Sequence, residues 1–136
     1  MIKKFYNWKD FDSDIEKIKK WLNQEENSHI TKICGIPKGG LILAATLANH
    51  LPDLEYLHNL KDVDKNTLIV DDISDSGKTL LKIPNILGMR TLTLFCKEKT
   101  SFQPKKWLNT VEENEWLVFP WESNEKEEVK DETKLY

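Results

Sequence analysis

The sequence predicts an α/β fold, a mostly parallel twisted sheet flanked by helices, and three observations carry that expectation. Apolar runs of strand length alternate with stretches of helical pattern, the spacing of successive strand–helix–strand units. Two of those runs pass directly into turns rich in Gly, Ser and Asp that open helices, where ligands sit in open α/β sheets. The run Thr67-Leu68-Ile69-Val70 is continuously apolar after its first residue, as a strand covered on both faces requires.

Taken in order, Trp8, Phe11, Ile15, Ile18 and Leu22 form one stripe of an amphipathic helix. Its start falls between Asn7 and Ser13, with Ser13-Asp14-Ile15-Glu16 readable as a capping box and Glu16 four residues before Lys20 as an ion pair. Ile30-Thr31-Lys32-Ile33-Cys34 is a short strand ending in Gly35-Ile36-Pro37-Lys38-Gly39-Gly40, and residues 41–51 are helix formers. Leu54-Glu55-Tyr56-Leu57 is a weaker strand, followed by a polar connection to Thr67. A second helix opens near Ser76 and ends or kinks at Pro84, with Gly88 as a stop. Residues 90–96 and 116–119 are two further strands.

A chain of 136 residues is one domain's length, read as residues 1–122 with a charged tail at 123–136 too poor in apolar side chains to fold alone. The net charge of −3 excludes nucleic-acid binding as the main task, and Arg90 is the sole arginine. Any anion site must therefore use lysines and backbone N–H groups. No apolar run reaches the ~18 residues of a membrane span, and Met1-Ile2-Lys3-Lys4-Phe5 leads into charge rather than a signal core, so a cytoplasmic location is expected. Cys34 and Cys96, inside apolar runs without a C-x-x-C partner, read as buried free thiols.

Two turns can carry chemistry. In Gly35-Ile36-Pro37-Lys38-Gly39-Gly40, glycines let the backbone approach an anion, and a helix start adds N–H donors beside Lys38. The second turn follows the strongest strand: Asp71-Asp72-Ile73-Ser74-Asp75-Ser76-Gly77-Lys78-Thr79 holds three carboxylates, then hydroxyls, a glycine and a lysine at a helix start, a suitable phosphate cradle. The triplet Gly77-Lys78-Thr79 fits a Walker A ending, but that motif needs glycine where Asp72 stands, which disfavours an ATPase. A response-regulator acidic pocket would explain paired aspartates and leave the hydroxyl-rich turn unexplained.

Residues 68–80 resemble the signature of the type I phosphoribosyltransferases, which bind 5-phosphoribosyl 1-diphosphate (PRPP): apolar residues, two acids, two variable positions, Asp, a small hydroxyl residue, Gly, any residue, Thr. The Gly35–Gly40 turn resembles the same family's diphosphate loop. The C-terminal part is similar to the bacterial xanthine-guanine (6-oxopurine) branch, with Lys97 after Leu94-Phe95-Cys96 and Trp116 ahead of Pro120-Trp121-Glu122. The resemblance implies the family's α/β core, transfer of the phosphoribosyl group of PRPP to a purine base with Mg²⁺ as cofactor, and assembly into homo-oligomers. It further implies that Asp71 and Asp72 meet the ribose hydroxyls, directly or through Mg²⁺. Lys38, Gly39 and Gly40 would hold the diphosphate, and Ser74, Asp75, Ser76, Gly77, Lys78 and Thr79 the 5′-phosphate. Asp75 is implied to serve as general base, Lys97, Trp116, Leu117 and Glu122 to receive the purine, and the peptide before Lys38 to be cis.

Two departures stand out against that family. Its long flexible loop is replaced by residues 58–66, so the lid is shortened and the hood over the site reduced; the lysine-rich residues 97–106 are the candidate cover for a partner's site. The branch's acidic residue two positions after the stacking Trp is Val118 here, which leaves guanine, xanthine and hypoxanthine all open. The alternative is a non-catalytic PRPP- or nucleotide-binding regulatory module, favoured by the missing lid and disfavoured by retention of Asp75.

Overall fold

The computed structural model describes residues 1–122; the charged tail expected at 123–136 lies outside the described residues. Helix α1, Trp8–Leu22, turns Phe11, Ile15, Ile18 and Trp21 inward. Its cap is Asn7, the early end of the expected range and six residues before Ser13. The Asn7 side chain accepts from the Asp10 N–H at 2.8 Å, and the Asp10 carboxylate accepts from the Asn7 N–H at 3.0 Å. That box wins because Asn7 directly precedes the apolar stripe, whereas Ser13 and Glu16 lie inside the helix. Glu16 pairs with Lys19 at 3.4 Å rather than with Lys20.

Strand β2 (Lys32–Gly35) leads into α2 (Gly39–His50), and β3 (Glu55–Leu57) leads through a 3₁₀ turn at Leu60–Asp62 into β4 (Thr67–Ser74). Strand β4 thus runs through Asp71 and Asp72 instead of stopping before them. The expected second helix is a single turn, α3, Lys78–Leu81. Pro84 has no N–H to continue a helix, and Asn85 takes φ 60°, outside the right-handed region. Strand β5 (Arg90–Lys97) is followed by β6 (Lys106–Val111), which the sequence does not announce, and β7 (Glu115–Val118) pairs with an equally unannounced N-terminal strand β1, Ile2–Phe5.

The core sheet has the order β3-β2-β4-β5-β6, and every neighbouring pair is parallel. One face, with Leu68, Val70, Leu92 and Leu94, packs under α1 and α2 through Ile15, Ile18, Leu43 and Leu47. Ile69 meets a second cluster of Ile36, Leu80, Ile83, Ile86 and Phe102. Phe102 belongs to the connection at residues 98–105, which returns from β5 to β6 without a helix and fills the space one would occupy. Strands β1 and β7 form a separate parallel ribbon, with Ile2 opposite Glu115 and Phe5 opposite Val118. Cys34 and Cys96 are buried and free, and burial pushes both thiols above their ordinary pKa. Among the described residues no helix is long and apolar enough to cross a membrane.

Candidate functional site

Parallel pairing of β2 with β4 brings both singled-out turns to one end of the sheet, where they enclose a cavity of about 670 Å³. Lys38, Gly39, Asp71, Asp72, Ser74, Asp75, Ser76, Gly77 and Thr79 line it, joined by Pro37, Ile73 and Leu80. The Pro37–Lys38 peptide is cis, as the resemblance implies. Among the described residues the N–H groups of Lys38 and Gly39 have no acceptor, while the Gly40 N–H donates to the Ile36 carbonyl at 2.8 Å. Gly39 has no room for a side chain, because a Cβ there would run into the Asp72 carboxylate. Gly40 faces inward against the Val70 carbonyl and does not line the cavity.

The β4–α3 turn is built on Gly77, whose φ of +88° a side chain would disfavour. Gly77 also packs on the Phe102 backbone, and the Ser101 N–H donates to the Ser76 carbonyl at 2.8 Å. Residues 98–105 thus brace the turn from behind and are docked on their own chain. The N–H groups of Ser76, Gly77 and Thr79 have no acceptor among the described residues, the state of donors awaiting an anion. Two expected contacts are not in place. The Ser74 hydroxyl is committed to the Phe102 carbonyl at 2.7 Å and to the Thr100 hydroxyl at 3.0 Å, and Lys78 is exposed outside the lining.

Asp71 is 9% exposed, and its carboxylate accepts the Asp72 N–H at 2.8 Å. Burial, then the neighbouring Asp72 charge, raises the Asp71 pKa well above the carboxylate range, and burial raises that of Asp72 as well. No lysine or arginine pairs with either among the described residues. Two uncompensated carboxylates facing a cavity suit a hard divalent cation. No group of three or more metal-ligating side chains exists among the described residues, so most of the ion's oxygen ligands would come from substrate and water.

A second cavity of about 540 Å³ adjoins the first, with Asp72, Ile73 and Asp75 lining both. Lys97 at the end of β5, Trp116 and Leu117 on β7, and Glu122 all line it. One Glu122 oxygen is held by the Phe119 N–H at 2.9 Å. Val118, where the branch carries an acid, is buried. Met1, Glu115 and Phe119 also line this cavity without having been expected there. Phe119 was within reach as the end of an apolar run; Met1 and Glu115 arrive through the β1–β7 pairing, which leaves no local pattern.

The 58–66 connection does not overhang either cavity. Leu60 and Val63 pack on the Ile36–Ile83 cluster, and with Pro37 and Met89 they border an apolar groove.

No family model matches the chain. Among solved structures, a purine phosphoribosyltransferase from Pyrococcus horikoshii Ot3 is 28% identical over 90% of this chain and 96% of its own, with a TM-score of 0.74. A Helicobacter pylori xanthine-guanine-hypoxanthine phosphoribosyltransferase matches 95% of this chain and 99% of its own at 21% identity, also with a TM-score of 0.74. A hypothetical protein from Neisseria gonorrhoeae, solved with bound ppGpp, shares the fold over 96% of this chain and 94% of its own at 19% identity and a TM-score of 0.66. A signature turn seated where the parallel sheet opens, in a fold shared over 90% of the chain with a purine phosphoribosyltransferase, makes this chain similar in both fold and local sequence to the type I phosphoribosyltransferases.

Proposed function

We propose that the chain transfers the phosphoribosyl group of PRPP to a 6-oxopurine, guanine, xanthine or hypoxanthine, giving the nucleoside 5′-monophosphate and diphosphate. One observation carries the reading: the N–H-rich cavity and the cavity with Lys97 and Trp116 share Asp72, Ile73 and Asp75. A ribosyl group bound by its phosphates in the first would present its anomeric carbon towards a base in the second. Displacement of diphosphate passes through a cation-like ribosyl centre, so the chemistry needs a positioned nucleophile and a stabilised leaving group.

On this reading the Ser76, Gly77 and Thr79 N–H groups hold the 5′-phosphate, and Lys38 with the Gly39 N–H holds the diphosphate. Asp75, at the junction, takes the proton from the purine imidazole edge as its nitrogen attacks. Trp116 and Leu117 supply an apolar wall for the ring, and Lys97 a donor for an exocyclic oxygen. Asp71 and Asp72 would hold Mg²⁺, which would neutralise diphosphate charge.

Incubation with PRPP, Mg²⁺ and each of guanine, xanthine, hypoxanthine, adenine and uracil, with separation of nucleotide products, tests the reading. Nucleotide from a 6-oxopurine is expected; PRPP binding without any product supports the rival, a regulatory nucleotide-binding module. That rival is favoured by one finding, the ppGpp held by a protein of the same fold.

The docked 58–66 connection also predicts a leak. Nothing from that segment screens the ribosyl centre from water, so PRPP hydrolysis without purine should be a measurable fraction of transfer. Diphosphate release followed with and without purine checks this. With residues 98–105 tied to their own turn, the leak fraction should not change on dilution; tight coupling at all concentrations would show a cover from elsewhere.

A further inference from the structure

We infer that Tyr6, held by the buried carboxylate of Asp14, is a positioning residue that sets the width of the base cavity and thereby its affinity for purines. The inference rests on the base-site reading proposed above and deepens it. Trp116 and Leu117 stand on β7, which is outside the core sheet; among the described residues its only strand partner is β1. A two-stranded ribbon is marginal by itself, and every β1 side chain is exposed, so β1 does not anchor the ribbon through its own burial. Leu117 and Val118 pack β7 inward, and the β1 side of the ribbon needs its own anchor.

Tyr6, the next residue, supplies it from three directions. Its N–H donates to the Val118 carbonyl at 2.9 Å, extending the ribbon. Its ring meets Phe95 edge-on at 5.0 Å and Phe119 at 5.8 Å. Phe95 lies two residues before Lys97 on β5, and Phe119 itself lines the base cavity. Phe95 and Phe119 also meet each other edge-on at 5.8 Å, so the Tyr6 ring completes a three-ring cluster that joins the strand carrying Lys97 to the segment that follows Trp116.

The hydroxyl fixes the ring. It donates to Asp14 Oδ2 at 2.8 Å, and Asp14 is 4% exposed on α1. The same oxygen accepts from Asn109 Nδ2 at 3.1 Å, and Asn109 also donates to the Leu94 carbonyl at 3.0 Å. Lys17 lies 3.6 Å from Oδ1. Asp14 is thereby fixed to α1, β5 and β6, and its grip on Tyr6 transmits that fixed position to the ribbon. Charge-assisted hydrogen bonds of this kind are the stronger class, and they constrain geometry as well as energy.

The test compares the intact protein with Tyr6→Phe, Tyr6→Leu and Asp14→Asn, first by calorimetry with inosine monophosphate and with ribose 5-phosphate, then by kinetics. Tyr6→Phe keeps the ring and loses the hydroxyl; its affinity for the purine nucleotide should fall about tenfold, the effect of one buried hydrogen bond to a charged group. Affinity for ribose 5-phosphate should stay within about twofold, since the phosphate cradle is untouched. Tyr6→Leu should lose more, and Asp14→Asn, which keeps an acceptor for the hydroxyl, should lose clearly less than Tyr6→Phe. In kinetics the purine KM should rise and the PRPP KM should not. A variant that merely unfolds in part lowers the active fraction and leaves both KM values alone, so the split separates positioning from stability. Equal weakening of both ligands, or a Tyr6→Phe protein that binds inosine monophosphate like the parent, would overturn the inference. A parent protein that binds the nucleotide but transfers nothing would instead fail the transferase reading, and the binding comparison would still decide the role of Tyr6. A parent that binds no purine nucleotide would overturn both.

Discussion

Asp75→Asn is expected to reduce phosphoribosyl transfer by ~10²-fold or more, the usual range for loss of a general base, while PRPP affinity stays close to that of the parent. The side chain is exposed at the point where the two cavities meet and has no hydrogen-bond partner among the described residues, so nothing in the fold depends on it. An amide fills the same volume and still makes polar contacts, but it cannot accept the proton that the purine must lose. Single-turnover transfer and equilibrium PRPP binding, measured on the same preparations, separate the two effects. Proportional loss of both would make Asp75 a phosphate-loop residue and remove it from the chemistry.

The second large effect is expected at a residue with no functional group. Gly39→Ala places a methyl into the Asp72 carboxylate, so either Asp72 swings out of the cavity or the start of α2 withdraws. Both outcomes move the diphosphate donors relative to the acidic pair. Misplacement by about 1 Å can cost roughly 10²-fold in a positioned reaction, and here it should appear as a higher PRPP KM and a weaker response to Mg²⁺. Adding Asp72→Ala to Gly39→Ala makes room for the methyl, so the double variant should be little worse than Asp72→Ala alone. Strictly additive losses would show that Gly39 acts through something other than that carboxylate.

What could be read before the fold was known follows from where the chemistry lies along the chain. The β4–α3 turn is a continuous segment, and its carboxylates, hydroxyls and Gly77 carry their meaning in adjacent residues. The β2–α2 turn is equally local. The base cavity was readable only at Lys97, Trp116, Leu117 and Glu122, through resemblance, because its other walls arrive by pairing of distant strands. Strand β1 shows no alternation of burial at all, since its partner lies at the far end of the chain. Strand β6 carries Lys106, Asn109 and Thr110 in a half-buried edge position, a composition that looks like loop until a neighbour is supplied. The α1 start was bracketed by Asn7 and Ser13, two local signals six residues apart, and only the approach of the chain selects Asn7. The short α3 fits the same rule: helix-forming residues continue past Leu81, but Pro84 and Asn85 already direct the backbone elsewhere.

Because Ile2 sits opposite Glu115 and Phe5 opposite Val118, the ribbon closes a loop that contains nearly the whole chain. Contacts of such sequence separation are paired late, since the intervening chain must be ordered before closure is rewarded. The β2–β4 pairing and its two turns, with the brace behind Gly77, need only residues up to about 105, so on the ribosome that half of the site can assemble while β7 is still unmade. The wall proposed to receive the base cannot. On the reading proposed above, a chain stopped short of residue 115 would carry the phosphate N–H groups, the acidic pair and Lys97, yet lack Trp116 and Leu117, the apolar wall for the ring.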